Sequence, residues 1–360
     1  MNEVPAWIMK LRDDLPSFLE RVRQPGPYGR FRYAPKGCLL PHEPISSCYA
    51  FGILRTINSY DALGDREKEE WAEYLRSFQD PETGEFWSHE IGDLCGKDEY
   101  PVRRMLTRNI SSVLDQMGFP PLYPMKYPEV EGLVEREKLM AHLNSFPWDT
   151  DPWGAGSHAG MTALMLYMRM KREEEFRRPL RWTIDYLLGR QDPETGLWGP
   201  SSSPLYQRIN ATFKVLGRLT GTFGILPKYP ERIIDSVFRH YQDPSYEMTG
   251  CNEFDNIWVL AAALKATDYR KEGIRELVLS RLPLIEPFRK PDGGFSFFRG
   301  ECITTNAQVR LVDRPRPQGD MVGTATFVAC LRSAFEILGW NKTLGWRGLW
   351  EDSPKEPVEI

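Results

Sequence analysis

The sequence predicts an all-α fold, an (α/α)6 toroid in which six helical hairpins close into an inner and an outer ring. Three observations predict it. A tract of Gln, four residues, Gly, one residue and an aromatic recurs along the chain. Helical segments of two kinds alternate, and strand signals are poor.

The clearest copies of the tract are "QPGPYGRF" from Gln24, "QDPETGEF" from Gln79 and "QDPETGLW" from Gln191. Weaker copies are "YQDPSYEMTG" from Tyr241 and "FRKPDGGFSF" from Phe288. The anchors Gln24, Gln79, Gln191, Gln242 and Lys290 stand 55, 112, 51 and 48 residues apart. The long interval predicts a degenerate copy near residue 135. The unit is therefore roughly 50 residues, the size of a helical hairpin with its loop.

Amphipathic, charged segments near 4–22, 65–78, 132–145, 174–190, 228–241 and 272–283 are the expected outer helices. More apolar segments alternate with them. These start near Ile45 ("ISSCYAFGILRTI"), Val102, His158 ("HAGMTALMLYMRM"), Tyr206, Asn252 ("NEFDNIWVLAAALKA") and Asp320 ("DMVGTATFVACLRSAFEIL"). A helix apolar nearly all round is buried, so these form the inner ring. Pro-Glu-Thr-Gly and Pro-Asp-Gly-Gly are turn sequences. Residues 1–350 are read as one toroid domain and 351–360 as a polar C-terminal tail to which no role is given.

The tracts resemble the Gln–Trp repeats of squalene cyclases and their looser form in protein prenyltransferase beta subunits. The resemblance implies an alpha/alpha toroid in which the glutamine caps a helix end beside the aromatic ring and ties neighbouring hairpins together. A side-chain amide can satisfy orphan backbone groups at a helix terminus, and an aromatic ring can cover it. Such a repeat is structural and leaves the chemistry open.

Composition narrows the partners. With 360 residues, a net charge of -4 and 41% hydrophobic residues, the chain carries an ample core and no excess of positive charge for nucleic acid. The first residues read as an amphipathic helix, no apolar run is long enough to span a bilayer, and the six cysteines are scattered without a Cys-x-x-Cys pair. A cytoplasmic protein with reduced thiols is expected.

In such a toroid the inner-helix starts point free N–H groups at one mouth of a central cavity. The candidates there are His42 and Glu43; Arg103, Arg104 and Arg108; His158; Tyr206, Arg208 and Asn210; Asn252, Glu253, Asp255 and Asn256; and Asp320. Two carboxylates flanked by two indoles, Trp148, Asp149, Asp151 and Trp153 in "PWDTDPWGAGS", add a loop whose composition is unusual for a surface turn. The last long loop adds Arg310, Asp313, Arg314 and Arg316. Each has a plainer role available. Asp and Asn at helix starts are common caps, and exposed arginines are commonly solvated or ion-paired.

The chemistry of the resembled families is only partly supported. The resemblance to cyclases implies an Asp-x-Asp-Asp acid at an inner-helix start, and Asp149-Thr-Asp151-Pro152 departs from it at the last position. The resemblance to prenyltransferases implies zinc on Asp, Cys and His; Ile257 stands where the thiolate belongs, and the five histidines show no ligand spacing. No metal and no cofactor are expected. Arginines pair with carboxylates and sulfates, and indoles stack on sugar faces. The leading expectation is therefore a carbohydrate-active enzyme, a polysaccharide lyase or glycoside hydrolase, on an acidic sugar or oligosaccharide. In the hydrolase form Asp149 or Asp151 works with Asp255 or Asp320. In the lyase form Tyr206 and His158 act as acid and base, with an Arg or Asn neutralising the uronate. Tyr206 and Asn210 share a helix face from which Arg208 turns away. The alternatives are an isoprenoid cyclase with one unusual acid, and a toroid that binds without catalysis.

Overall fold

The computed structural model describes residues 3–96 and 98–360. Twelve helices carry the architecture: α1 (Ala6–Val22), α2 (Pro44–Thr56), α3 (Asp65–Arg76), α4 (Tyr100–Met117), α5 (Arg136–Asn144), α6 (Pro152–Met170), α7 (Arg177–Gly189), α8 (Leu205–Leu219), α9 (Pro230–Gln242), α10 (Gly250–Ala263), α11 (Lys271–Ile285) and α12 (Met321–Leu338). The only paired strands among the described residues are two-residue stubs at 305–306 and 309–310.

The even-numbered helices form the inner ring. In turn α6 packs on α8, α8 on α10, α10 on α12, α12 on α2 and α2 on α4. The odd helices lie outside, all but α5 packed on an inner neighbour, and α5 packs on α7. Apolar residues explain the division. In α10 Ile257, Val259, Leu260 and Ala261 to Ala263 are all buried, whereas α3 buries only Trp71, Ala72, Tyr74 and Leu75. Helix α12 is long and apolar enough to cross a membrane by length and composition, but 72% of that window lies buried within the ring. It is read as a core helix.

The predicted inner starts fall within about two residues of the helices, except that α6 begins six residues before His158 and places it in the second turn. Four inner helices are capped by side chains. Glu43, Asp151, Thr249 and Asp320 accept from Ser46 N–H (3.0 Å), Gly154 N–H (2.9 Å), Asn252 N–H (3.2 Å) and Gly323 N–H (2.7 Å).

The repeated tracts join hairpins by a division of labour. Gln79 donates to the carbonyls of Gly84 (2.9 Å) and Tyr123 (2.7 Å) and accepts from Leu122 N–H (2.8 Å). Gln191 donates to Gly196 O (2.9 Å) and accepts from Lys228 N–H (2.8 Å). Each amide thus ties its own turn to the loop that leads into the next outer helix. The helix end is met differently from tract to tract: Gln24 Nε2 donates to Val22 O at the end of α1 at 3.4 Å, whereas Trp198 Nε1 donates to Leu187 O at 2.7 Å. Gly84 and Gly196 are left-handed (φ 75° and 71°), and a Cβ would meet Pro124 O at 2.3 Å and Tyr229 O at 2.7 Å. The glycine of the tract is where neighbouring hairpins touch.

Both ends of the ring are covered. At the starts of the inner helices, the segment before α12 runs over the loop ahead of α2, with Leu39 N–H bonded to Leu311 O and Asp313 N–H to Gly37 O. It continues to Leu94, whose carbonyl accepts from Arg310 N–H, and it sets Asn306 on the Tyr49 hydroxyl at 3.0 Å. At the opposite end Asp352 pairs with Arg55 (2.6 Å) and Arg347 (2.7 Å), and Trp350 packs edge-on against Trp258 of α10 with ring centroids 5.7 Å apart. Val358 N–H then bonds Phe223 O beyond α8. The polar C-terminal residues thus lie across the ends of α2, α8 and α12.

Candidate functional site: a seam between two inner helices

One pair of ring neighbours departs from the pattern. Helices α4 and α6 lack the close backbone packing of the other inner pairs. The outer helix between them in sequence, α5, is the shortest of the twelve. Residue 135 falls at the start of α5, whereas the other tracts follow the ends of their outer helices. The tract that joins the two hairpins is intact, since Gln79 reaches Leu122 and Tyr123 in the loop that leads into α5.

The seam holds a cavity of about 480 Å³, within the range of small-molecule sites. Arg104 and Arg108 of α4 and Arg218 of α8 face it, together with Tyr49 and Cys48 of α2 and Asn109. Met161, Leu164, Met165 and Met168 of α6 supply an apolar wall. Glu85, Asp115 and Glu129 also line it, toward the outer side with Tyr127, and Arg104 reaches toward them over the Tyr100 ring at 5.2 Å.

No ion pair is made by Arg104, Arg108 or Arg218 among the described residues. Arg108 Nε donates to Asn109 Oδ1 at 3.0 Å, and Arg104 Nε is buried without a partner. Burial and the Arg108 charge push Arg218 down to about 10, and burial together with Arg104 pushes Arg108 down as well. Arg108 and Arg218 are thus lowered by burial and by a neighbouring guanidinium, no carboxylate is paired to them or to Arg104, and the cluster has the charge and donors that an anion needs.

Tyr49 stands among them. Burial raises its hydroxyl to about 12, against the pull of the Asn306 hydrogen bond and the Arg108 charge. It is a neutral phenol at physiological pH. At the outer end, burial and then the nearby Glu129 raise Glu85. Glu129 Oε1 accepts from the Tyr100 hydroxyl at 3.1 Å, and its Oε2 is buried without a partner.

Few of the residues nominated from sequence line this cavity. Arg104 and Arg108 do, and His158 joins them through Arg104. Arg103 lies over the Trp87 ring at 4.4 Å, near Glu99. Asp149 and Asp151 are exposed, the latter as the α6 cap. Trp148 is buried, donating to Leu143 O at 3.3 Å beneath Arg190, and Trp153 is half-buried. Tyr206 is exposed, so it and His158 do not share a site. Arg208 is buried against Asp192 (2.8 Å) and Thr195 (2.7 Å), bracing a Gln tract. Asn210 turns back to Tyr206 O (2.7 Å), and Asn252 to Glu247 O (2.9 Å).

Glu253 is fully buried in a bidentate pair with Arg281 (2.9 and 3.0 Å), with the hydroxyls of Tyr241 and Tyr246. Asp320 is fully buried and accepts from three backbone N–H groups, those of Gly323, Phe297 and Ile303. Burial outweighs those bonds and raises it to about 7. Asp255 is also buried, with Oδ2 lacking a partner, and burial raises it to about 7 against the Lys214 charge. Arg314 is exposed on the loop before α12. Among the described residues, no group of three or more His, Cys, Asp or Glu side chains is placed to hold a metal.

Sequence reasoning passed over Tyr49, Arg218, Glu85 and Glu129. A signal existed for Arg218: Lys214 and Arg218 stand one turn apart in the second half of a helix whose buried residues there, Val215, Leu216 and Leu219, are apolar. Glu85 lies in a loop and Glu129 in the single helical turn Pro128–Glu131, both too short for sequence to carry a phase.

No protein-family model matches the chain, and no curated protein matches it in sequence. Among solved structures the chain is similar to a polysaccharide lyase, at 14% identity over 92% of this chain and 97% of that one, with a TM-score of 0.46. It is also similar to an inactive variant of an alpha-1,6-mannanase of Salegentibacter sp. HEL1_6 in complex with alpha-1,6-mannotetrose, at 13% identity over 92% and 99% of the two chains, with a TM-score of 0.45. Neither likeness bears on the chemistry of the cavity.

Proposed function

We propose that this chain is a carbohydrate-active enzyme that holds the anionic group of an acidic sugar on Arg104, Arg108 and Arg218. The observation that carries the reading is that these three guanidiniums face one cavity without an ion pair. Buried unpaired charge is costly, and a bound carboxylate or sulfate offsets it through paired, charge-assisted hydrogen bonds. Three cations would repel a carbocation, which weighs against the isoprenoid cyclase that the Gln tracts also suggest.

The chemistry favoured at the guanidinium cluster is β-elimination. Neutralising a uronate carboxylate acidifies the C–H beside it. A base takes that proton, the C–O bond to the leaving sugar breaks, and a double bond forms. Tyr49, a protonated phenol at the guanidinium cluster, suits proton donation to the leaving oxygen. His158 holds Arg104 through Nδ1 and, with its proton on Nε2, acts as a positioning residue and not as the base.

Hydrolysis is the second reading, favoured by one observation: Glu85 and Glu129 line the same cavity and Glu85 is raised by burial and by its neighbour. That is the division expected of a general acid beside a second carboxylate. Incubation with acidic oligosaccharides separates the two. Elimination leaves a conjugated uronide that absorbs in the ultraviolet and is abolished by Tyr49→Phe. Hydrolysis leaves new reducing ends without that absorbance and is abolished by Glu85→Gln. Absence of both products across uronate and sulfated glycans would overturn the proposal.

A further inference from the structure

We infer that the substrate reaches the guanidinium cluster through the wall of the ring, between α4 and α6, and that the chain therefore takes a terminal acidic sugar with the next sugar lying outside. The inference rests on the reading of the cavity as an acidic-sugar site, and it adds a route and a substrate class.

Three observations converge. The first is that both ends of the ring are covered. Asn306 reaches the Tyr49 hydroxyl at the inner-helix starts, and Asp352 with Trp350 lies over the other end. The second is that α4 and α6 are not drawn together, so the opening lies in the wall. The third is that a groove of about 590 Å³ on the outer side shares Glu85 with the seam cavity. Glu82, Lys126, Glu131 and Arg172 line that groove with mixed charge. Arg169 stiffens its wall, donating to Glu173 twice at 2.8 Å and to Lys126 O at 2.6 Å.

A blind cavity entered from one side accepts a chain end. An internal sugar would need the polymer to leave by a second opening, and the ring ends are where such an opening would lie. The mixed, hydrogen-bonding lining of the outer groove suits a sugar that carries hydroxyls and no compulsory anion.

Binding titrations test this with four probes: free glucuronate, the two trisaccharides that carry a terminal uronate at one end or the other, and the same sugars with the uronate in the middle. The expected result is binding of the free sugar and of one terminal isomer, with the internal isomer weaker by about tenfold or more, which is at least 1.4 kcal/mol. Glu131→Trp, which crowds the outer groove and lies outside the seam cavity, should weaken the terminal trisaccharide by a similar factor of about ten while leaving free glucuronate within about threefold. The second measurement also shows that the variant is folded. Equal binding of internal and terminal isomers, or a Glu131→Trp variant that binds the trisaccharide as the parent does, would overturn the inference and leave the acidic-sugar reading standing. No binding of glucuronate or either trisaccharide would overturn the reading beneath it.

Discussion

Arg104 on α4 and His158 on α6 meet across the seam, Nη1 to Nδ1, at 3.3 Å. A guanidinium only donates, so His158 Nδ1 accepts and its proton sits on Nε2. Phe146 stacks on the ring with centroids 5.5 Å apart. Burial first, and then the Arg104 charge, lower the imidazole below its ordinary value, with Asp151 acting weakly the other way.

The first prediction follows from that contact. Arg104→Gln removes the neighbouring cation and should raise the His158 pKa by about half a unit or more. A nuclear magnetic resonance titration of the imidazole reads it directly. A pKa that stays put or falls would mean that the two groups are not coupled across the seam.

Asp255 gives a stability prediction with a definite sign. Its native value of about 7 lies above the ordinary carboxylate value near 4. The native state therefore keeps a proton that the unfolded chain gives up between those limits. The cost of Asp255 is absent below about pH 4, grows as pH rises, and is complete above about pH 7. Asp255→Asn should stabilise the protein by roughly 1–3 kcal/mol at pH 8 and by less at pH 5 in denaturant unfolding. An equal change at both pH values would show that ionisation is not the cause.

Glu253 and Asp149 should separate cleanly. Glu253 is buried with Arg281 and two tyrosines, so Arg281→Ala leaves a buried charge and should cost about 3–5 kcal/mol. Asp149 is exposed on a turn, and Asp149→Asn should change stability by less than about 0.5 kcal/mol and leave turnover intact. A large loss of turnover in Asp149→Asn would restore that loop as a catalytic candidate.

The Gln tract predicts a local effect. Gln191→Ala strips partners from Lys228 N–H and Gly196 O and should cost about 1–3 kcal/mol. Hydrogen exchange should rise first in the loop ahead of α9. Unchanged exchange there would show that the amide does not join the hairpins.

The ring was legible because its signal is repeated. Each Gln tract and each apolar inner helix restates the same unit, so weak local patterns add up. The seam was not legible: the 112-residue interval between Gln79 and Gln191 marks a missing tract after α5, while the Gln79 tract that joins the hairpins flanking the seam is intact. The cavity residues were harder to read. Helix starts attracted attention to Asp151 and Asp320, whose side chains serve as caps. Arg104 and Arg108 were legible from the start of α4, whereas Arg218 sits in the last turn of α8, where a charged residue is informative only once the buried face is known. Arg208 and Arg218 look alike in sequence, yet one braces a turn through Asp192 and the other is left without an ion pair.

The most direct test of the account is a thermal-shift and calorimetric titration of the parent protein and Arg108→Ala with acidic sugars. The account predicts that uronate or sulfated sugars stabilise the parent, by about 2.7 kcal/mol at a hundredfold excess over Kd. It predicts that Arg108→Ala loses that gain while melting, without ligand, no lower than the parent, because one of three mutually repelling charges is gone. An acidic sugar that binds both proteins equally, or neither, would contradict it.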